Sequence, residues 1–586
     1  MKNSLNKKLI LLVAVAFFAV TCSEDFLSIR PQGSIDRETL KSATGIELVV
    51  TGAYAQVNPP LYGWGRDPNN WTFGSICGGD AYKGTEAGDQ PPINELERYE
   101  TRANNDYLMD KWSTNYDGIH RCNDGIVIIE ETQEGGQVTA EWKAMKTAEL
   151  RFLRGFYYFE LAKVFSAKIP YLDEQVIKDN INNPFVPNET EIWDKIEADF
   201  AFAADNLPSN WNDYGGGAGR ANKWAAKAYL AKVKMFQHKF AEALPILQDV
   251  IDHGETANGQ KYGLLDHFEY NFDLDHDNSK ESVFAIQNNI GDGSRIRGNP
   301  GHSLNYPYGS SAPGGCCGFF QPSYSLVNSY KVDANGLPYL DSIVFQIDLK
   351  NDEGIESSQP FTPDNTTPLD PRLDWTVGRR GIPYLDWGLH PGKDWIRDQQ
   401  YGGPYSPKKN VYRKKDDAAG MTELQDWWAP GSALNTCLMR FADVLLLAAE
   451  CQAETNSGDL GLAYVNQVRE RASHSVVKFD DGTPAANYQI GQYPSFSDKT
   501  YALKAIRYER KLELAMEGHR FFDLVRWGTA QTELNAYIDK EKKKRQQFVG
   551  AHFDVPCDLY FPIPTTQIEL AGGVIKQINE GAGCAY

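Results

Sequence analysis

Arg507-Tyr-Glu-Arg-Lys-Leu-Glu-Leu-Ala-Met-Glu-Gly-His-Arg-Phe-Phe-Asp-Leu-Val-Arg-Trp-Gly528 is the stretch whose reading decides the fold. It sits in a helical pattern that runs from Tyr501 to Trp527, with apolar residues returning every three or four positions. Glu509, Glu513 and Glu517 recur at i, i+4, which stacks like charges on one helix face. Arg507, Arg510, Lys511 and Arg520 lie within a turn of them, so the set is expected to form interlocked ion pairs joining helices. Acid/base chemistry is the poorer reading, because glycosidase carboxylates face each other across a cleft from separate elements. His519, beside Arg520, Asp523 and Arg526, is expected to be a helix-terminal hydrogen-bonding hub rather than a general base.

Working outward, the same period governs most of the chain. Met145, Ala148, Phe152, Phe156 and Phe159 line one side of a helix over 141–165, and Trp193, Ile196, Phe200, Ala203 and Leu207 line another. Asn188 and Thr190 are candidate caps of the second helix, and Pro208 stops it. Trp224, Ala228, Ala231 and Met235, followed by Phe240, Leu244, Leu247 and Ile251, predict an antiparallel helix hairpin. Phe240-Ala-Glu-Ala-Leu244 is similar to the second helix of a tetratricopeptide repeat. From about Asn271 to Gly431 the periodicity fails, and Gly, Pro, Asn and Asp punctuate short strand-like pieces such as Ser282–Ile286. Helical pattern returns at Phe441. The expected class is mainly α: a leader over 1–21, a helical scaffold with tetratricopeptide-like hairpins over 22–270, a loop-rich ligand-binding excursion over 271–433, and completion of the scaffold with a C-terminal cap over 434–586.

The N-terminus points out of the cytoplasm. Lys2, Lys7 and Lys8 precede an apolar run from Leu9 to Val20, too short to span a bilayer and typical of a secretory signal. The run ends at Ala19-Val-Thr-Cys22, which looks like a bacterial lipoprotein processing site, although Ala19 and Thr21 depart from the usual Leu and Gly/Ala. Cys22 is the expected lipidation site, and acyl chains would be the only membrane attachment. Eight further cysteines permit disulfides in an oxidising compartment without fixing their pairing.

Charge and motifs exclude several classes. The net charge of -19 disfavours a nucleic-acid surface, and the one basic run, Lys540 to Arg545, reads as a solvated helix end. Metalloprotease, serine-hydrolase and nucleotide-loop motifs are missing, Cys316-Cys317 has no nearby His, and no catalytic residue, metal ligand or cofactor is expected. Asp273-Leu-Asp-His-Asp277 alternates oxygen ligands, but Asn278 and Phe284 stand where a calcium loop needs Gly and Glu, so an Asp/Asn-rich turn is the better reading.

Several segments in order resemble the SusD/RagB family of outer-membrane nutrient-binding lipoproteins. They are the opening stretch, Ala148-Glu-Leu-Arg-Phe-Leu-Arg154 with Tyr157-Tyr-Phe159, Met439-Arg-Phe-Ala-Asp-Val-Leu-Leu-Leu447, Val465-Asn-Gln-Val-Arg-Glu-Arg471 and Leu559-Tyr-Phe-Pro-Ile-Pro564. Cys22-Ser-Glu-Asp-Phe-Leu27 also fits, whereas Glu580–Tyr586 departs from the family's usual ending. The resemblance implies a helical fold with tetratricopeptide-like repeats and an irregular insertion bearing the ligand site. It also implies a place on the outer membrane facing the exterior, and a TonB-dependent partner barrel of the SusC type. Members hold oligosaccharide, or in some cases peptide, and do not catalyse.

Aromatics make up 12% of the chain, many in Gly/Pro-rich segments. A sugar stacks its C–H face on aromatic planes and gives its hydroxyls to polar groups. Trp64, Trp71, Asp80 and Tyr82 in one segment, and Tyr306, Tyr308, Phe319, Phe320, Trp387, Trp395 and Trp427 in the excursion, show that mixture. Trp64, Trp71, Asp80, Tyr82, Tyr308, Phe319, Phe320, Trp387 and Trp395 are the expected ligand-binding set for an oligosaccharide. The alternative is a repeat protein whose loops bind peptide or protein.

Overall fold

Helices laid side by side, in chain order, make the frame of this mainly α fold. The computed structural model describes residues 36–59, 65–179, 185–291, 293, 298–340, 347–409, 411–424 and 429–584. Helix α1 (Ala43–Tyr54) packs on α2 (Asp106–Glu131), and α2 on α3 (Ala140–Phe165). Contact passes from α3 through α4 (Trp193–Asn206) and α5 (Lys223–Phe236) to α6 (Phe240–His253). Helix α6 then packs directly on α7 (Phe441–Glu454), so residues 254–440 are inserted between touching helices. Helices α8 (Leu462–Ser473) and α9 (Lys499–Glu513) pack on α7, and α10 (Arg520–Arg526) on α11 (Ala530–Glu541). Two short antiparallel ribbons order the insertion: β1 (Ala81–Gly84) with β3 (Phe319–Pro322) ties it to the frame, and β2 (Ser282–Ile286) with β4 (Thr436–Arg440) pairs its first part with its last.

The predicted apolar stripe of α3 is its buried side. Met145, Ala148, Phe152, Phe156 and Phe159 are all under 7% exposed. Phe152 and Phe156 meet Tyr229 of α5 and Phe284 of β2 edge-on, with centroids 5.0 to 5.8 Å apart, the geometry that aromatic quadrupoles favour. The hairpin of α5 and α6 forms as predicted. The expected caps of α4 do other work: the helix starts at Trp193 with no side-chain cap. Asn188 instead donates to the carbonyls of Lys168 (3.0 Å) and Lys576 (2.9 Å), tying in the C-terminal segment. Strand β4 was not legible, because its residues run without a break into the apolar pattern of α7.

The decisive stretch is two helices rather than one. Helix α9 ends at Glu513 and α10 begins at Arg520. Between them the chain turns against Trp71–Ile76, a wide helical turn. The Asp80 carboxylate accepts the Met516 N–H (3.0 Å), and Ser75 Oγ accepts the Gly518 N–H (2.9 Å). A Cβ on Gly74 would stand 1.9 Å from the Gly518 carbonyl oxygen, and Gly518 itself has φ +79°. Backbones meet here so closely that both positions need glycine.

The three glutamates are structural, as expected, but their partners come from far along the chain. Glu513 meets Arg372, Arg440 and Arg471; Glu509 meets Arg372 and Arg469; Glu517 meets Arg440 and Lys409. Glu281 also pairs with Arg440 and Arg471, and Asp370 with Arg372. All of these side chains are 6% exposed or less. Burial alone would raise the Glu513 carboxyl, yet Arg471, Arg440 and Arg372 hold it far below the usual range. Nearby residues of the stretch face a second chain: Arg510 meets Asp443 (2.6 Å) and Asp523 (3.0 Å), Asp443 meets Lys232 (2.8 Å), and Arg526 grips Glu450 (2.7 Å). That chain links α5, α7, α9 and α10.

His519 is the residue before α10, and its carbonyl accepts the Asp523 N–H (3.1 Å). Burial, then Lys232, pushes its imidazole down to about 3, which keeps it neutral. The basic run is not uniformly solvated: Lys542, Lys543 and Lys544 are exposed. Arg545, 1% exposed, turns inward to Glu353 (2.6 Å) and lies over the Tyr82 ring.

Glu513→Gln leaves three buried guanidiniums facing one carboxylate fewer. Breaking a buried pair from one side costs about 3–5 kcal/mol. The exposed Lys542–Asp539 pair is the comparison, where Asp539→Asn is expected to leave stability nearly unchanged. Guanidinium unfolding midpoints measure the difference, and equal shifts would contradict the central place given to Glu513.

Candidate functional site

Most of the expected ligand-binding rings point inward. Trp71, Phe319 and Phe320 are 4% exposed or less. Trp71 lies edge-on to Phe319 (6.3 Å) and Phe320 (5.7 Å), filling the seam where β1 and β3 join insertion to frame. Asp80 is spent on the Met516 turn, and burial lifts its carboxyl to about 6. Tyr82 is fully buried, donates to Glu541 (2.5 Å) and accepts the Tyr324 N–H (3.1 Å). These five residues, expected at the ligand, are packed inside instead: Trp71 lies in the helical turn, Asp80 in the bend before β1, and Tyr82, Phe319 and Phe320 in the ribbon, with rings that plug the seam or polar ends used within the protein. Trp64, Trp427 and Cys22 lie outside the described residues.

The excursion carries its own small core. Tyr306, Tyr384, Trp395 and Tyr412 cluster with Ala312, Val411 and Ala429, and Cys316, Leu385 and Trp387 pack against them. Trp395, 4% exposed, stands edge-on to Tyr384 (5.3 Å) and His390 (5.2 Å) and donates its indole N–H to Ser311 Oγ (3.0 Å). His390 Nδ1 accepts the Gly392 N–H (3.0 Å), which leaves the ring proton on Nε2, 2.9 Å from Ser406 Oγ. Burial pushes this imidazole down to about 3, so it is a neutral strut. Lys408 runs beneath, over the Trp375 and Tyr384 rings, with Nζ on the carbonyls of Asp374 and Pro383; burial lowers it to about 7.

Above this core two of the expected aromatics reach solvent. Tyr308 is 36% exposed, with its N–H on the Trp395 carbonyl (3.1 Å) and the Arg397 guanidinium 5.4 Å from its ring centroid. Arg397 is itself held by Asp89 (2.6 Å) and Glu86 (3.0 Å), which follow β1. Trp387 is half-buried, edge-on to Tyr412 (5.9 Å), and donates to the Tyr412 carbonyl (3.1 Å). Ser310 and Ser311, which follow Gly309, and Asp394, whose carbonyl lies against Gly309, are exposed beside Tyr308, and Asp386 is exposed beside Trp387 in the chain. The arrangement offers a fixed apolar ring bordered by a cation, carboxylates and hydroxyls, which suits an uncharged polyhydroxylated ligand.

A cavity of about 420 Å³, within the range of small-ligand sites, is lined by Asn335, Pro371, Ser473, Tyr488 and Gln489 among others. In the residue pattern its one signal is Asn487-Tyr-Gln489, an aromatic between amides in a loop. In the Asp273–Asp277 turn, Asp273 caps His276 (N–H to Oδ1, 3.1 Å), Asp275 pairs with Lys415, and Asp277 accepts the Asn435 N–H (3.1 Å). The carboxylates are thus divided among separate partners.

Comparison with known proteins agrees with this architecture. The profile described as SusD family matches residues 280–581, and one described as starch-binding associating with outer membrane matches residues 25–235. A SusD-like protein of Bacteroides ovatus is 24% identical over 90% of this chain and 83% of its own. The solved surface glycan-binding protein A from Bacteroides thetaiotaomicron superposes with a TM-score of 0.67 at 20% identity, covering 92% of this chain and 99% of that one. A laminarin binding SusD-like protein gives a TM-score of 0.62 at 22% identity with the same coverages.

The burial pattern separates strut from rim. Trp395→Ala empties the centre of the small core and should cost about 3–5 kcal/mol, whereas Tyr308→Ala should stay within about 0.5 kcal/mol of the parent. Thermal midpoints, with hydrogen exchange over residues 306–318, distinguish them. A Tyr308→Ala protein as unstable as Trp395→Ala would place Tyr308 among the struts.

Proposed function

The chain belongs to the SusD family, and from that premise we propose that it is a cell-surface lipoprotein that captures an oligosaccharide and hands it to a TonB-dependent SusC-like transporter. Acylation at Cys22 would anchor it to the outer membrane, with the ligand rim facing the exterior. Among the described residues no helix is long and apolar enough to cross a membrane. Two solved proteins of this fold carry laminarin or glycan binding in their descriptions.

The observation that carries the reading is the rim itself: Tyr308 open to solvent, fixed from below by the Trp395 core and bordered by Arg397, Asp394 and Ser310. A pyranose ring fits such a surface because its C–H face stacks on aromatics while its hydroxyls hydrogen-bond at the edge. The protein holds its ligand without cleaving it. The clustered glutamates of its most distinctive stretch are buried and ion-paired, so they are not displayed to a substrate.

The test is isothermal titration of the chain from residue 23 against a panel of soluble glycans that includes laminarihexaose and maltoheptaose, with chromatography of the recovered sugars. Micromolar to millimolar binding with no shortened chains is expected, as is co-purification of the lipidated protein with a barrel transporter. Shortened products would make it a hydrolase. An empty glycan panel beside saturable peptide binding would favour the peptide reading.

A further inference from the structure

Cys316 and Cys317 are joined to each other in a disulfide, and neither the frame nor the glycan reading so far gives that bond a task. The loop carrying it is closed by its own backbone. The Gly309 N–H donates to the Gly315 carbonyl (3.1 Å), the Ala312 N–H to that of Gly309 (2.9 Å), and the Gly318 N–H to that of Tyr306 (2.9 Å). Gly314, Gly315 and Gly318 supply the positive φ angles this path needs. Tyr308 and Cys316 therefore flank the Gly309–Gly315 bridge, and a Cβ on Gly318 would lie 3.2 Å from Tyr308 Cβ. Cys317 is 6% exposed and belongs to the main core. Cys316 is only half-buried and packs against the Trp395 core.

A bonded sulfur pair has no hydrogen to donate, accepts weakly and is polarizable, so it behaves toward a ligand as an apolar contact surface. Two free thiols would differ: each keeps a rotor and a weak donor. Where sulfur stands beside an aromatic ring, the two attract a C–H face by the same dispersion. We propose that the Cys316–Cys317 disulfide and the Tyr308 ring form one continuous platform for a sugar's C–H face, with Arg397 at its edge taking a hydroxyl. This subsite rests on the glycan reading above and gives it a location. Its sulfur half is independent of the tryptophans that the sequence singled out.

The chain from residue 23 is treated with dithiothreitol, with and without saturating laminarihexaose, maltoheptaose or the best binder of the panel. Alkylation and mass spectrometry follow each disulfide. A bound sugar covering the sulfurs should slow reduction of Cys316–Cys317 by about ten-fold, while Cys557–Cys584, the other disulfide, keeps its rate. Cys316→Ala with Cys317→Ala should weaken binding by about ten-fold; Cys557→Ser with Cys584→Ser should stay within about two-fold. Equal protection of both disulfides, unchanged affinity in the Cys316/Cys317 variant, or alkylation of these cysteines before any reductant would each overturn the subsite while leaving glycan binding intact. If the parent protein binds no glycan, the functional reading fails first, and the subsite with it.

Discussion

A carboxylate shared by three arginines holds this structure to one arrangement. Glu513 lies on α9, Arg471 on α8, Arg440 at the end of β4, and Arg372 in the excursion. Charges removed from water are costly unless compensated, and here the surrounding acids and bases interlock: Asp370, Glu281, Glu509, Glu513 and Glu517 against Arg372, Arg440, Arg469, Arg471 and Lys409. No member can leave without stranding another. The contribution is specificity of placement more than net stability, since apolar residues could fill the same volume at no desolvation cost.

That constraint is what lets a long irregular segment behave as a rigid surface. Residues 254–440 leave the helical stack after α6 and must return to α7 beside it. Arg372, Lys409, Glu281 and Arg440 are insertion residues at the same buried cluster. Pinned there, the insertion needs only short ribbons and local turns to build its second core, and the Trp395 cluster supplies it. Rigidity at Tyr308 is thus inherited from the decisive stretch through Lys408 and Lys409, which lie between the two cores: Lys409 reaches Glu517 (2.7 Å), and its neighbour Lys408 sits over Tyr384. A platform held this way loses less entropy when it orders a ligand.

Much of this was legible in the residues. The period of α3, α4, α5 and α6 announced their buried faces, and Glu509, Glu513 and Glu517 announced interlocked ion pairs joining helices. Three things were not legible. Glu513's partners come from Arg372, Arg440 and Arg471, and no spacing rule reports a long-range pair. The break at Gly518 depends on Gly74 approaching from far along the chain, so a helical period ran across it unbroken. Strand β4 merges into the pattern of α7 because β-pairing is set by the neighbour, here β2, as much as by propensity.

The direction of the loop aromatics was the least legible of all, for a physical reason. A tryptophan in a Gly/Pro-rich loop has a large apolar body and one N–H, and sequence does not reveal whether a carbonyl, a hydroxyl or solvent will take that proton. In this protein Trp375 gives it to Ser475, Trp387 to Tyr412, Trp395 to Ser311 and Trp527 to Glu450. Each internal bond anchors its ring, three of them tying a loop of the excursion. Tyr308 shows the opposite balance, since glycine and backbone contacts fix its base while a large part of the ring stays in water. An aromatic that is held without being enclosed keeps its face for something outside the chain, and on a frame this rigid such a face is where recognition has room to act.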